Sequence, residues 1–175
     1  MAGKLFLARA FLSIDKILVT ILKTLIVIFA AVMLLLMLIQ VIFRYFLFIP
    51  SPWSEDLARL ALVWTTFLAA ALGIRNLEHP KIDILTKHFP IGVQAVLEIL
   101  IYLAITGFGI ILLIFGSRFA WATRIDHYTS LQYPKNFFYW PGPVGGALFI
   151  IYSCAHIVAT VRGFAGNRKK EKEEK

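Results

Sequence analysis

Glu55, Asp56 and Arg59 are ionisable residues at the start of a long apolar run, and their spacing allows them to pair. Arg59 follows Glu55 by four residues and Asp56 by three, so on a helix either carboxylate can reach the guanidinium. Ser51 and Pro52 come just before them and are typical of a helix start, where the helix dipole favours negative charge. The cluster is therefore predicted either to cap a helix or to pair within a packing surface.

The same helix face continues beyond the charges as a stripe of small and uncharged residues. At helical spacing its members are Glu55, Arg59, Leu62, Thr66, Ala69 and Gly73. Ala69 and Gly73 have the four-residue spacing of small residues that lets a second membrane helix approach closely. Gly142 and Gly146 repeat this spacing later in the chain. The pattern predicts one packing surface in the second apolar segment and a second candidate in the fourth.

The elements that position these residues are apolar segments long enough to cross a membrane. Hydrophobic residues make up 59% of the 175-residue chain, above the roughly 45–50% of soluble domains. Crossing a bilayer takes about 20 helical residues, and the predicted spans cover residues 25–43, 57–74, 99–117 and 140–161. The prediction is an all-α integral membrane protein with four transmembrane helices. Residues 1–165 form a single membrane domain, and residues 166–175 form a charged, disordered tail.

Charge distribution predicts the orientation. The net charge of +8 comes from 18 Lys and Arg against 10 Asp and Glu, and the basic residues concentrate near both termini. Because cytoplasmic segments carry such an excess, both termini are predicted to be cytoplasmic, and the charge needs no nucleic acid to explain it. The loop between the third and fourth spans then lies outside. Its ionisable residues, available to a partner protein or merely solvated, are Arg118, Arg124, Asp126, His127 and Lys135.

Two further segments have the pattern of short amphipathic helices that lie along a membrane surface. Between residues 9 and 23, polar residues recur every three or four positions on an otherwise apolar helix. This segment either lies in the inner interface or extends the first span into the cytosol. Residues 80–90 begin and end with proline and mix Lys, Asp and His with apolar residues. They predict an interfacial helix on the cytoplasmic side.

The polar residues of the spans argue against a transport path or a catalytic centre in this chain. Substrate sites at mid-depth usually use ionisable groups, and no carboxylate lies there. The main alternative, a cytochrome b-like membrane anchor, needs paired axial ligands, but His156 is the one histidine inside a predicted span. The single cysteine, Cys154, excludes a dithiol pair and is predicted to pack. We predict neither an enzyme nor a bound cofactor or metal.

The stretch from Trp53 to Leu85, WSEDLARLALVWTTFLAAALGIRNLEHPKIDIL, carries a family resemblance. It resembles the hallmark of the small membrane subunit of TRAP (tripartite ATP-independent periplasmic) transporters, the DctQ-like family. The residues that carry the resemblance are Trp53, Glu55, Asp56, Ala58, Arg59, Arg75, His79 and Asp83. The stretch from Ser130 to Leu148 is similar to the proline-containing segment that begins the fourth span in this family, so the resemblance covers most of the chain.

The resemblance implies a three-part secondary importer in the bacterial inner membrane. A periplasmic binding protein captures an organic acid, such as sialic acid or a C4-dicarboxylate. A large membrane subunit moves the acid with a sodium gradient, and this small subunit, surrounded by membrane lipids, supports the large one without binding sodium or a cofactor itself. The outer loop becomes a candidate for docking the binding protein, and Arg75, His79 and Asp83 become a cytoplasmic family motif. The surface expected to bind the large subunit comprises Trp53, Glu55, Asp56, Arg59, Thr66, Ala69 and Gly73.

Overall fold

Helices make up nearly all of the computed structural model, which describes residues 2–76, 91–127 and 134–173. In chain order they are α1 (Ala2–Tyr45), α2 (Pro52–Asn76), α3 (Ile91–Ala122), α4 (Asn136–Tyr139) and α5 (Pro141–Glu173). No strand occurs in these residues, which contain a single β-bridge between His127 and Pro134. Four segments are long and apolar enough to cross a membrane: Asp15–Tyr45, Pro52–Asn76, Val96–Ala122 and Asn136–Val161. The predicted all-α membrane fold with four spans is confirmed.

Helix α1 is a single unbroken helix of 44 residues. At about 1.5 Å per residue it is about 66 Å long, twice the roughly 30 Å of the hydrocarbon core. Residues 9–23 therefore continue the first spanning helix instead of forming a separate one, which is the second of the two predicted alternatives. The other predicted interfacial segment, residues 80–90, lies outside the described residues.

Helix α5 reaches Glu173, so the predicted disordered tail is wrong for residues 166–173. The reason lies in helix cooperativity, because extending an existing helix costs far less than nucleating a new one. Lys and Glu, which dominate the tail, are also strong helix formers. The transmembrane helix thus continues into the charged sequence beyond it.

Helices α1 and α2 form an antiparallel pair along a row of side-chain contacts. Phe43 meets the edge of Trp53 at a ring-centre distance of 6.4 Å, and Phe29 stacks on Trp64 at 5.8 Å. The row ends at an ion pair between α1 and the last turn of α2. The contacting residues of α1 recur every three or four positions, the spacing of helices that cross at a shallow angle.

Helices α3 and α5 form a second antiparallel pair whose crossing depends on glycine. A Cβ added at Gly146 would lie 2.7 Å from the Gly109 carbonyl oxygen, and one at Gly109 would lie 2.9 Å from the Gly146 oxygen. The neighbouring Gly145 faces α2, where an added Cβ would lie 2.7 Å from Phe67 Cδ1. Gly146 therefore serves packing inside the chain, whereas a Cβ at Gly142 would meet nothing within 4 Å.

The two pairs join through α2 and α5, which run parallel, so the main contacts follow the order α1, α2, α5, α3. Their shared core is Leu22, Leu68, Ala71, Ile74, Leu148, Phe149 and Tyr152. Cys154 is exposed on α5, and the prediction that it packs within the chain is wrong. We call the end of the molecule near Asp15 and Asn76 the terminal end. The opposite end, with the α1–α2 connection, is called the loop end.

Candidate functional site

The charged cluster at the start of α2 is an ion pair within one helix. Arg59 Nη2 donates to Glu55 Oε1 at 2.8 Å, and each side chain is 55% exposed. Of the two carboxylates predicted to reach Arg59, Glu55 thus makes this contact, across one helical turn. An exposed pair of this kind adds little to the stability of the chain that carries it.

The helix start itself is stabilised by two serines. Helix α2 begins at Pro52, directly after Ser51, as the sequence predicts. Ser51 Oγ lies 2.9 Å from Ser54 Oγ, and the Ser54 hydroxyl donates to the Ser51 carbonyl oxygen at 2.8 Å. Both serines are buried. Because the two hydroxyls and a backbone carbonyl form this turn, the charges of Glu55 and Arg59 are not needed to begin the helix.

All six members of the predicted stripe lie on the exposed face of α2. The opposite face is buried through Ser54, Ala58, Ala61, Leu68, Ala71 and Ile74. On the stripe, the Thr66 hydroxyl donates to the Leu62 carbonyl oxygen at 2.8 Å, so it needs no partner. A Cβ added at Gly73 would meet nothing within 4 Å. The stripe is therefore a smooth helix surface that no other described element of this chain covers.

Two residues predicted for the same surface lie beside the stripe. Trp53 is half-buried and packs edge-on against Phe43 of α1. Asp56 is also half-buried. The structure thus brings Glu55, Arg59, Thr66, Ala69 and Gly73 together on one face and uses Trp53 for packing within the chain.

A second polar site, absent from the sequence predictions, lies at the terminal end. Arg75 Nη2 donates to Asp15 Oδ2 at 2.5 Å, and Arg75 Nε donates to Asp15 Oδ1 at 3.2 Å. Each side chain is about one quarter exposed, at 25% and 24%. Arg75 was predicted only as a member of the cytoplasmic motif, whose other two residues, His79 and Asp83, lie outside the described residues. Asp15 is the only acidic residue before Glu55, which makes it the one acidic candidate on α1, but the register that brings it to Arg75 is not encoded in a local pattern.

The same site extends to the other two long helices. His156 Nε2 lies 3.2 Å from the Arg75 carbonyl oxygen, and the imidazole stacks on Tyr102 with a centre distance of 4.8 Å and an interplanar angle of 2°. We call Asp15, Arg75, Tyr102 and His156 the terminal cluster, in which α1, α2, α3 and α5 each contribute one residue. His156 therefore joins α5 to the last turn of α2 and to Tyr102 of α3.

Polar side chains within the spans bond to nearby groups of the chain. Thr65 donates to the Ala61 carbonyl oxygen at 2.8 Å. Thr106 donates to the Tyr102 carbonyl oxygen at 2.8 Å and lies 2.8 Å from the buried Ser153 hydroxyl. Among the described residues, no three His, Cys, Asp or Glu side chains converge as metal ligands would. The Thr65 hydroxyl thus bonds within its own helix, whereas the contact between Thr106 and Ser153 joins α3 to α5.

The loop between α3 and α5 presents several of its predicted residues to the surroundings. Asp126 and His127 are exposed in the loop, Arg118 is exposed within α3 just before it, and the Arg124 guanidinium lies 4.6 Å from the ring centre of Trp121. The Lys135 backbone N–H donates to the Asp126 carbonyl oxygen at 2.8 Å, which closes the loop at its base. Docking of a binding protein to this loop stays a prediction.

The fold and these sites define a multi-pass membrane protein whose second helix has an exposed small-residue face. The family described as "Tripartite ATP-independent periplasmic transporters, DctQ component" matches residues 33–163. The match covers well over half of the chain, so the protein belongs to this family and is a small membrane subunit of a TRAP transporter. The predicted resemblance is confirmed. A comparison with curated proteins finds no match.

Proposed function

We propose that this subunit binds the large membrane subunit of its transporter through the exposed stripe on α2. The large subunit would then carry out sodium-coupled uptake of an organic acid that a periplasmic binding protein delivers. In this proposal the chain lies in the bacterial inner membrane with both termini cytoplasmic. It binds neither cofactor nor coupling ion and catalyses no reaction.

The observation that carries the proposal is the contrast between the two faces of α2. One face is buried by α1 and α5, whereas the stripe from Glu55 to Gly73 is exposed along its whole length. Small residues at Ala69 and Gly73 allow close approach of a second helix, and in membranes such surfaces associate through van der Waals packing. One end of the stripe carries the charged pair and the rest is uncharged. The charged end can provide a specific contact, and the uncharged part can provide non-specific packing.

The ion pair supplies the specific contact. In the free chain the pair is exposed and worth little, and Ser51 and Ser54 already form the helix start. A partner helix that covers the stripe would desolvate Glu55 and Arg59 together. Once the pair is desolvated, the partner must present groups that complement both charges, and this requirement fixes the register and orientation of the partner helix.

The spans support an accessory role. Their hydroxyls are bonded to carbonyl oxygens or to each other, as at Thr65, Thr106 and Ser153. Transport sites usually use ionisable groups or broken helices near mid-depth, and α2 is continuous from Pro52 to Asn76. Substrate selection is therefore assigned to the binding protein and substrate movement to the large subunit.

Two glycines provide a matched test. A Cβ meets nothing within 4 Å at Gly73 on the stripe or at Gly107 on α3, and both glycines are exposed, so Gly73→Leu and Gly107→Leu each add a side chain on an uncovered helix face. Each variant is coexpressed with the large subunit and purified in one detergent. Gly73→Leu should reduce recovery of the large subunit at least about tenfold, a change of roughly 1.4 kcal/mol, whereas Gly107→Leu should behave as wild type. Equal recovery with both variants would overturn the assignment of the stripe.

Uptake provides the second readout. Proteoliposomes that contain only this subunit should show no substrate uptake, with or without a sodium gradient. Adding the large subunit and the binding protein should produce sodium-dependent uptake. Uptake by this subunit alone would contradict the accessory role.

A further inference from the structure

A cavity of about 380 Å³ lies at the loop end, between the last turn of α1 and the start of α2. Its lining includes Gln40, Arg44, Phe48, Ser51 and Glu55. We call it the loop-end cavity. Ile49, Pro50 and Pro52 complete the lining, so four of its eight residues are polar, and covering their polar groups with lipid acyl chains would be unfavourable. Glu55 also belongs to the stripe on α2, which makes the cavity and the stripe one continuous surface.

Phe48 adopts a backbone conformation that bulky residues rarely take. Its φ of 54° is the only positive φ at a non-glycine residue among those described. The turn is held by the Ile49 N–H, which donates to the Phe43 carbonyl oxygen at 3.2 Å. The Phe48 side chain is 85% exposed. Little contact within this chain therefore compensates for the strain of an L-residue in the left-handed region.

Arg44 supplies a cation at the same place. Arg59 and Arg75 each form an ion pair with a carboxylate, but within the described residues Arg44 makes none. Glu55, the acid nearest in the cavity lining, is already bonded to Arg59. A guanidinium at the end of a membrane helix, beside a polar cavity, fits an additional carboxylate that can accept two hydrogen bonds.

We infer that the loop-end cavity receives an acidic side chain of the large membrane subunit, which pairs with Arg44 while the same subunit covers Phe48. The inference rests on the proposed function and extends its interface from α2 onto the α1–α2 connection. A protein occupant fits better than lipid tails, because the non-helical backbone of residues 46–51 cannot face hydrocarbon with its polar groups unsatisfied. The contact with Phe48 also explains why a strained aromatic residue is exposed in the free subunit.

The test uses four variants of the full chain, titrated with purified large subunit in a lipid-free detergent. Arg44→Gln removes the cation, and Lys23→Gln is its control, since Lys23 is an exposed cation on the same helix outside the cavity lining. Phe48→Gly removes both side chain and strain, whereas Phe48→Ala removes the side chain and keeps the strain. Arg44→Gln and both Phe48 variants should weaken association about tenfold, and Lys23→Gln should not change it.

Thermal unfolding of the free subunit shows whether a Phe48 variant binds more weakly because a contact is lost or because the subunit is less stable. Phe48→Gly should unfold at a higher temperature than Phe48→Ala, because glycine adopts the left-handed conformation without strain. Weaker association by a variant that is itself more stable identifies a lost contact. Wild-type association by Arg44→Gln and Phe48→Gly would overturn the inference.

Repeating the titration in lipid shows whether the cavity binds a lipid headgroup or the large subunit. Comparison with Gly73→Leu shows whether the inference fails alone or together with the proposed function. The titration is repeated in nanodiscs of phosphatidylcholine alone and of phosphatidylcholine with phosphatidylglycerol. An effect of Arg44→Gln that appears only with phosphatidylglycerol would assign the cavity to a lipid headgroup and overturn the protein contact. If Gly73→Leu blocks association while the cavity variants bind normally, the inference fails and the proposed function stands. If wild type does not bind the large subunit, both fail.

Discussion

Asp15 and Arg75 join the first two spanning helices through two hydrogen bonds, 2.5 Å between Oδ2 and Nη2 and 3.2 Å between Oδ1 and Nε. Sixty residues separate them in sequence, and the Arg75 backbone carbonyl also meets His156 of α5. Asp15 lies before the family match, which begins at residue 33, whereas Arg75 lies inside it. The pair therefore fixes the part of α1 that precedes the match to the part of the chain that the family shares.

Replacing Asp15 by Asn should destabilise the subunit by about 1.5–3 kcal/mol, the range for hydrogen bonds to charged groups. The pair is only one quarter exposed, so Arg75 would keep a partly desolvated charge without its carboxylate. Thermal unfolding in detergent measures the change. Lys16→Gln is the control, because Lys16 is the exposed neighbour on α1 and should change stability little. A cycle with Arg75→Gln would give no coupling energy if the two side chains acted independently.

Replacing Gly146 by Ala should separate α3 from α5. A Cβ there would lie 2.7 Å from the Gly109 carbonyl oxygen, a backbone atom that cannot move away alone. Overpacking of this kind costs about 1–3 kcal/mol. Gly142→Ala, one turn earlier on α5, meets nothing within 4 Å and should be neutral or stabilising, since alanine is the better helix former. Equal unfolding temperatures for the two variants would show that the helices tolerate a wider spacing.

Features with a local period were predictable from the sequence, and features that depend on the register between helices were not. The exposed stripe on α2 follows from helical spacing, and the start of α2 follows from the Ser51 and Pro52 signal. The partner of Arg75 depends on how far α1 slides along α2, and no local pattern encodes that distance.

Glycine and cysteine show the same limit. The Gly142 and Gly146 spacing predicts a close approach, but only the crossing of α3 and α5 shows that Gly146 is used inside the chain. Cys154 lies in an apolar run, which indicates a membrane helix. The run does not show which face of that helix packs against other helices, and Cys154 is exposed. In a chain surrounded by lipid, apolar residues cover both packed and exposed faces, so composition cannot separate the two.

Charge reversal in the loop between α3 and α5 tests docking of the binding protein. Arg124→Glu combined with Lys135→Glu should weaken docking, with a larger effect at low ionic strength, if this loop meets an acidic surface. The Arg124 guanidinium stacks on Trp121, so Arg124→Glu also removes a cation–π contact within the chain. Trp121→Leu serves as the control for that loss. Uptake kinetics that match wild type at every salt concentration would indicate a loop that is merely solvated.

Variants of Glu55 and Arg59 test whether this ion pair serves only the start of α2 or also the interface with the large subunit. In the free subunit, Arg59→Ala should cost only about 0.3–0.5 kcal/mol, the value for an exposed pair one helical turn apart. In the complex the expected cost is roughly 3–5 kcal/mol, because removing one partner leaves the other charge buried and uncompensated. Recovery of the large subunit with Arg59→Ala, Glu55→Ala and the double variant measures the difference. Full recovery with both single variants would restrict the pair to the helix start, whereas partial rescue by the double variant would identify two residues of α2 that are coupled to each other within the interface.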